Sequence, residues 1–228
     1  MKISVALAAY NGEKYIAEQI NSVLPQLNED DEIIVSDDNP SGKTKEAVLA
    51  IGDKRIKYVE GKGHGVIKNF ENAVSLCTGD LIFLCDQDDV WKENKVQRIK
   101  EEIERGSDLI LHDSEITDSE LKIINNSYFA EHKSEISYKG NIIRNSFVGC
   151  CMAFKKELLK DILPFPENIP MHDQWIGLVA LKKGYKVSMI NEPLILWRRH
   201  GGNVTGSKTT LLQKIKWRIS IIKPIIKV

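Results

Sequence analysis

Three aspartates stand close together in the segment Cys85-Asp86-Gln87-Asp88-Asp89-Val90-Trp91. The apolar run at 81–84 predicts a buried strand, so the carboxylates follow the C-terminal end of a strand, where open α/β sheets bind ligands. Carboxylates this close repel one another unless a cation is present, and Mg²⁺ or Mn²⁺ held by them leaves positions open for phosphate oxygens. The pattern therefore predicts a metal–pyrophosphate site. A solvated acidic turn that caps a helix starting near Lys92 is the alternative.

Composition narrows the class of protein. The chain of 228 residues suits one domain with a sizeable core, and its 32 acidic and 32 basic residues balance, so no nucleic acid partner is expected. The sequence shows no signal peptide pattern and no apolar stretch near the roughly 20 residues of a membrane span. The four cysteines lie in apolar runs without metal-binding spacing and are interpreted as reduced core residues of a cytoplasmic protein.

Strand and helix patterns alternate in the first half of the chain. Strands are predicted at 3–8, 32–36, 56–59 and 80–85, with helices at 13–24, 43–50 and 66–76. Repeated βαβ units of this kind imply an α/β fold with a parallel, doubly wound sheet.

The second half is less regular. Its predicted elements are a helix at 92–104, a strand at 109–112, a hairpin over 115–124, a strand at 147–154, a helix at 173–183 and a strand at 186–190. From Lys208 onward the chain carries six Lys or Arg residues and no acid, which marks 206–228 as a basic amphipathic tail.

Four further clusters stand at predicted strand ends or helix starts: Ala8-Ala9-Tyr10-Asn11-Gly12, Ser36-Asp37-Asp38, His172-Asp173-Gln174-Trp175 and Trp197-Arg198-Arg199-His200-Gly201-Gly202-Asn203-Val204. With the acidic segment they resemble glycosyltransferase family 2, and most of all its bacterial rhamnosyltransferase-like members. The resemblance implies a GT-A fold, a Rossmann-like, doubly wound, mostly parallel sheet with a smaller mixed acceptor-side region. It divides 1–205 into a nucleotide-binding half (1–91) and an acceptor-side half (92–205).

The resemblance also implies a nucleotide site. Ala8, Tyr10 and Asp38 would line the base and ribose, and Asp37 or Asp38 would accept a hydrogen bond from a pyrimidine N3–H, which favours uracil or thymine. Lys68 would neutralise diphosphate charge. The alternatives are a turn cap for the aspartate pair and a solvated position on a helix face for the lysine.

Metal and catalytic roles follow in the same way. Asp86-Gln87-Asp88 matches the family's Asp-x-Asp motif, with Asp88 as the main metal ligand and Asp86 holding the ribose or binding the metal through water. His200 would be a third metal ligand or a phosphate contact. Asp89 is interpreted as a helix cap or donor-sugar contact. Asp173 would be the general base that deprotonates the acceptor hydroxyl, with a helix N-cap as the alternative.

Three more residues are expected on the donor or acceptor side. Gly149 would permit close backbone approach, and Arg199, or Arg198 beside it, would neutralise phosphate charge. Trp175 is assigned to the same region, with packing as the alternative.

The sequence thus predicts an inverting glycosyltransferase that depends on Mn²⁺ or Mg²⁺. It would move rhamnose or another hexose from a dTDP- or UDP-sugar to a hydroxyl of a cell-surface polysaccharide or lipid-linked oligosaccharide. The tail would either contact the inner face of an anionic membrane or cover the core. A nucleotidyltransferase and a non-catalytic nucleotide-binding scaffold stay open as other classes.

Overall fold

One mixed sheet forms the centre of the computed structural model, which describes residues 1–201 and 210–228. Its strands are β1 (Ile3–Ala9), β2 (Glu32–Asp37), β3 (Ile56–Glu60), β4 (Leu81–Asp86), β5 (Val90–Trp91), β6 (Leu109–Thr117), β7 (Ile123–Asn125), β8 (Met152–Lys155) and β9 (Val187–Arg198). The helices are α1 (Ile16–Val23), α2 (Thr44–Leu49), α3 (Val66–Ser75), α4 (Lys95–Glu104), α5 (Tyr128–His132), α6 (Tyr138–Ile143), α7 (Leu159–Ile162), α8 (His172–Lys182) and α9 (Leu211–Lys227).

The strands lie in the order β3-β2-β1-β4-β8-β6-β9-β5, and β7 pairs with β6. Strands β3, β2, β1 and β4 are parallel, as the repeated βαβ units predict. Strand β8 then runs antiparallel to β4 and β6, whereas β9 runs parallel to β6. The predicted α/β arrangement, a doubly wound parallel part joined to a smaller mixed part, is confirmed.

Strands β1 and β2 are buried along their whole length, which explains the nearly continuous apolar sequence of β1 and the apolar run at 33–35 in β2. A parallel sheet is covered by helices on both faces, so alternation of polar and apolar residues disappears. The four cysteines are buried and unpaired, as expected. Trp91 packs in the core against Phe83 and is also buried.

Three predicted strands of the acceptor-side half differ in the structure. The apolar run 147–154 is not one strand, because Gly149–Cys151 form a 3₁₀ turn and only Met152–Lys155 pair with the sheet. Strands β6 and β9 are longer than predicted, since both continue through polar residues, with shifts in their register near His112 and Asp113. Burial alone does not distinguish a strand from a packed turn.

The acidic turn does not cap the following helix. The short strand β5 comes directly after Asp89, and α4 begins only at Lys95. The capping role considered for Asp89, and for the acidic segment as a whole, is therefore wrong.

Helix α8 packs unusually close to the segment before β8. A Cβ atom on Gly177 would overlap the ring of Phe147, so only glycine permits this approach. Trp175 on the same helix is buried, and its indole N–H donates to the Ile162 carbonyl at 2.9 Å. Trp175 is thus a core residue, and its expected place on the donor or acceptor side does not fit this burial.

Helix α9 rests on the acceptor-side half. Its residues Ile221 and Ile225 are buried, and Lys182 of α8 donates to the carbonyls of Ile225 and Ile226 at 2.6 and 3.0 Å. The expectation that the tail covers the core is therefore met by part of this helix. Among the described helices, none combines the length and the apolar composition that crossing a bilayer requires.

The buried carboxylate of Glu32 connects the N-terminal ends of β1 and β2. Glu32 accepts hydrogen bonds from Ser4 Oγ at 2.6 Å, from the Thr78 backbone N–H and hydroxyl at 2.7 Å each, and from Lys57 Nζ at 2.6 Å. Burial by itself raises the pKa of Glu32, but these hydrogen bonds outweigh it and hold the pKa at about 2.

We predict that Glu32→Gln lowers the free energy of unfolding by roughly 2–3 kcal/mol at pH 7. A depressed folded-state pKa contributes stability that is complete above the unfolded pKa of about 4.5 and is lost as the pH falls toward 2. The difference between wild type and variant should therefore shrink over that window. Urea unfolding at several pH values measures it, with the exposed Glu60→Gln as control; a difference independent of pH would contradict the account.

Candidate active site

The loops that follow β1 and β4 lie side by side at the carboxyl ends of these strands. Strand β1 has β2 on one side and β4 on the other, the position where doubly wound sheets open a crevice. Gln87 joins the two loops, because it accepts from the Tyr10 backbone N–H at 2.8 Å and donates to the Tyr10 carbonyl at 2.9 Å. Asn11 adopts a left-handed backbone with φ of 50°, which asparagine tolerates better than most residues.

The aspartate pair at the end of β2 orders the neighbouring loop. Asp38 accepts from the backbone N–H groups of Gly63 and Gly65 at 2.8 and 2.7 Å, and Asp37 accepts from the Tyr58 hydroxyl at 2.8 Å. A carboxylate oxygen has two lone pairs, so these bonds leave acceptor capacity. Recognition of a pyrimidine by this pair stays a prediction.

The other residues predicted on the nucleotide side differ in their exposure and in their partners. Ala8 is buried, whereas Tyr10 is exposed beside the cleft. Lys68 Nζ donates to Glu71 at 2.5 Å and to the Phe165 carbonyl at 3.2 Å. Lys68 already has a carboxylate partner, so a role at a diphosphate requires that ion pair to open. Asn69 donates to two backbone carbonyls and fixes the ends of β1 and β2.

The carboxylates of the acidic segment are crowded. Ligand atoms of Asp86, Asp89 and Cys150 lie within 4.8 Å of one another. Burial, followed by the charge of Asp88, raises the pKa of Asp86 to about 7 and raises the pKa of Asp89 well above its usual range. Carboxylates that resist ionisation in this way are stabilised by a nearby cation.

A lysine ammonium lies beneath this cluster. Lys95 is fully buried, its Nζ donates to the Cys150 carbonyl at 2.9 Å, and it lies 4.0 Å from the centre of the Trp91 ring. Burial lowers its pKa, while the charge of Asp89 acts in the opposite direction. Lys95 carries no signal in the sequence, because a buried lysine in a charged helix has the same pattern as a solvated one.

Arg198 fixes the backbone of the acidic segment. Its backbone N–H donates to Asp89 at 3.0 Å, and its guanidinium donates to the carbonyls of Asp88 at 2.8 Å and Ser119 at 2.7 Å. The guanidinium also pairs with Glu18. The side chain is buried, so Arg198 holds the motif in place and is not the phosphate-binding arginine considered from the sequence.

His200 extends from the end of β9 to the acidic segment. Its Nε2 atom lies 2.7 Å from Oδ2 of Asp88, and the centre of its ring lies 5.0 Å from that of Tyr15, with the two rings tilted by 36°. A carboxylate oxygen and an imidazole nitrogen that converge in this way, with Asp86 nearby, form a donor set that fits Mn²⁺ or Mg²⁺. The Cys150 thiol fits such hard cations poorly. Gly202-Asn203-Val204 and the boundary at 205 lie outside the described residues.

A cleft of about 570 Å³ adjoins these groups, and its walls are formed by Asn11, Lys14, Tyr15, Gln87, Asp118, Ser119, Arg199, His200 and Gly201. Lys14 and Arg199 bring positive charge to it, and the Arg199 guanidinium stacks 4.0 Å from the Trp197 ring centre. Cations beside a metal-binding donor set suit a polyanion such as a diphosphate.

Asp173 lies in the first turn of α8, one residue after the helix begins, so the N-cap alternative is wrong. It accepts from the Gln174 backbone N–H at 2.5 Å, from Asn145 Nδ2 at 3.1 Å and from the Gly149 backbone. Burial outweighs these bonds and raises the pKa of Asp173 to about 6. At Gly149 a Cβ atom would come within 2.7 Å of His172 Nε2, which explains the glycine.

Sequence reasoning missed two residues that position this site. Asn145 orients Asp173 from the loop before the 3₁₀ turn, and no local pattern marks it. Gln87 lies between the two aspartates of the motif, which was a usable signal, but its partner Tyr10 is 77 residues away.

Two curated relatives resemble the chain over most of its length. WfgD of Escherichia coli, named UDP-Glc:alpha-D-GlcNAc-diphosphoundecaprenol beta-1,3-glucosyltransferase, is 29% identical and covers 83% of this chain and 73% of its own. RfbG of Shigella flexneri, named dTDP-rhamnosyl transferase, is 25% identical and covers 95% of this chain and 79% of its own.

Solved structures support the fold. S. aureus TarS 1-349 in complex with UDP-GlcNAc superposes with a TM-score of 0.75 at 22% identity, over 99% of this chain and 65% of that one. Mannosyltransferase PcManGT from Pyrobaculum calidifontis, in complex with GDP-Man and Mn²⁺, gives a TM-score of 0.67 at 16% identity, over 99% and 64%. The chain thus spans just under two thirds of these structures, and the predicted GT-A fold is confirmed. Residues 4–163 match the model of Glycosyl transferase family 2, so the chain belongs to that family.

Proposed function

We propose that this family 2 glycosyltransferase is an inverting, divalent-metal-dependent hexosyltransferase that uses a dTDP- or UDP-sugar. The observation that carries the proposal is the 2.7 Å contact between Asp88 and His200, which joins the ends of β4 and β9 beside a cationic cleft. The acceptor would be a hydroxyl of a lipid-linked oligosaccharide or cell-surface polysaccharide. We propose a cytoplasmic site of action.

Two observations support a pyrimidine nucleotide sugar as the donor. Asp37 and Asp38 stand at the end of β2 with acceptor capacity for a pyrimidine N3–H. WfgD is named for UDP-Glc and RfbG for dTDP-rhamnosyl transfer, and the TarS structure contains UDP-GlcNAc. All three donors carry a pyrimidine nucleotide. Rhamnose is proposed from the likeness to RfbG, and a lipid diphosphate acceptor from the likeness to WfgD.

Asp88 and His200 would hold the metal, with Asp86 as a further ligand or through a water. When bound, Mn²⁺ or Mg²⁺ would stabilise the negative charge of the departing nucleoside diphosphate. The Mn²⁺ in the PcManGT complex supports the proposal of a divalent metal, while the choice of residues rests on the contact between Asp88 and His200. Lys14 and Arg199 would add fixed positive charge at the phosphates, where preorganised charges need no rearrangement.

Asp173 would take the proton of the acceptor hydroxyl as its oxygen attacks the anomeric carbon of the donor sugar. A carboxyl with a pKa of about 6 is ionised at neutral pH and is still a stronger base than an exposed aspartate. Asn145 and the Gly149 backbone would orient it. Displacement in a single step inverts the anomeric configuration, and correct positioning of the two reactants supplies much of the rate.

The first prediction concerns nucleotide binding, measured by isothermal titration with UDP, dTDP and GDP in Mn²⁺ or in a chelator. UDP or dTDP should bind at least tenfold more tightly with Mn²⁺. Asp88→Asn and His200→Ala should each remove most of that gain, because each deletes a metal ligand. Metal-free affinity should not change.

Asp30→Asn, an exposed carboxylate, is the matched control for that titration. Equal affinities with and without metal would contradict the metal site. Preference for GDP would contradict the role of Asp37 and Asp38. Failure of all nucleotides to bind would favour a scaffold.

The second prediction concerns the base. Asp173→Asn should lower transfer by roughly 10²–10⁴-fold while nucleotide affinity stays within about twofold. For the wild type, kcat/KM should fall about tenfold per pH unit below pH 6, since only ionised Asp173 accepts the proton. The transfer rate and its pH profile are measured by mass spectrometry of the product. The acceptor is a GlcNAc-diphosphate lipid, and the donor is dTDP-rhamnose or UDP-glucose.

Asp161→Asn, on α7 outside the cleft, should retain the rate and the pH profile. Transfer that persists in Asp173→Asn would remove Asp173 from its role. Release of pyrophosphate in place of a nucleoside diphosphate would identify a nucleotidyltransferase.

A further inference from the structure

Helix α9 has two apolar faces, and within the part of the chain that the structure describes one of them packs against the rest of the domain while the other is exposed. The docked face carries the buried Ile221 and Ile225. The second face, here named the exposed stripe, consists of Leu211, Leu212, Ile215, Ile219 and Ile226, which are between 42% and 73% exposed. At about 100° per residue these five positions fall within a single sector of roughly 100°, about a third of a turn from the docked face. Ile222 falls in the same sector but is half-buried against the core, so the exposed stripe runs from Leu211 to Ile219 and resumes at Ile226.

Positive charge borders the stripe along one side. Lys216, Lys223 and Lys227 are exposed and occupy the adjoining sector of the helical wheel. No aspartate or glutamate occurs among residues 210–228. An apolar strip flanked by lysines and free of acids is complementary to an anionic lipid surface, where the apolar residues enter the acyl boundary and the ammonium groups meet headgroup phosphates.

The helix lies beside the proposed acceptor site. Arg218 donates to the Ile143 carbonyl at 3.0 Å, at the end of α6, and Ile143 itself is 63% exposed. Two residues further on, Asn145 donates to Asp173. A short, continuous stretch of backbone therefore connects the edge of α9 with the proposed base.

We propose that the exposed stripe of α9 docks this protein on an anionic lipid bilayer with α9 parallel to the membrane plane. The docked face keeps α9 attached to the catalytic domain, while the stripe enters the lipid boundary. Its link to catalysis, delivery of a lipid-borne acceptor near Asp173, rests on the proposed function; the docking itself does not.

The test is flotation of the protein with phosphatidylcholine vesicles that contain or lack phosphatidylglycerol, with no donor or acceptor present. Wild type should float with the anionic vesicles and dissociate at high salt. Lys216→Gln/Lys223→Gln/Lys227→Gln should bind on the order of 100-fold more weakly. Leu212→Ser/Ile219→Ser should bind at least tenfold more weakly, because two apolar side chains that enter the lipid boundary are lost.

Matched controls change three lysines or two exposed leucines elsewhere: Lys43→Gln/Lys54→Gln/Lys160→Gln and Leu49→Ser/Leu76→Ser should bind as the wild type does. Melting temperature and UDP titration in the same samples show whether the docked face and the nucleotide site are intact, so loss of docking is distinguished from failure of the proposed function. Binding to neutral vesicles alone, unchanged binding of the stripe variants, or no binding of the wild type would overturn the proposal. Light scattering that shows a dimer lost in the stripe variants would do the same, since the stripe would then be a protein interface.

Discussion

Repulsion among three neighbouring carboxylates is the constraint around which this domain is organised. Asp86 ends one buried strand and Asp88 and Asp89 follow it, and these carboxyl groups stay close only because the backbone around them is fixed from several sides. Arg198 binds that backbone through its own main chain and its guanidinium, and Lys95 supplies a buried positive charge. The length of β9 follows from this need, since the strand must reach the acidic segment to deliver Arg198 and then His200. Strand β5, which directly follows the acidic segment, pairs with β9 and so holds the segment against that strand.

The same balance of burial against hydrogen bonding recurs at the start of α8, with a different result. Asp173 accepts from Asn145, Gln174 and Gly149, yet its surroundings still raise the pKa to about 6. Glu32, which is also shielded from water, has a pKa of about 2 because a lysine and three further donors surround it. The contrast lies in the partner: an ammonium compensates the Glu32 charge, whereas Asp173 has only amide dipoles. A carboxylate held by dipoles alone can still accept a proton near neutral pH.

Much of the nucleotide-side half could be predicted from local patterns. Buried parallel strands have a strong signal, and the turn residues at their ends identify the ligand-binding edge. The acceptor-side half was harder, because its strands carry polar residues and its apolar run at 147–154 includes a 3₁₀ turn. Contacts between distant residues were beyond local reasoning altogether. Asn145 with Asp173 and Arg198 with Asp88 depend on the sheet order, which no spacing in the sequence reveals.

The close packing of Gly177 against Phe147 limits how this enzyme can be altered. Helix α8 carries Asp173 at its first turn, so any side chain at 177 would push the helix outward and displace the carboxylate from Asn145. Libraries aimed at new acceptors should therefore leave 147 and 177 unchanged, or vary them together with opposite changes in volume. Residues 143 and 144, at the end of α6, are exposed and tolerate diversity better, whereas the buried Asn141 and the Asn145 that donates to Asp173 should be kept. For protein engineering, the exposed residues of the acceptor side can therefore be varied, whereas the contact between α8 and Phe147 beneath them must be kept.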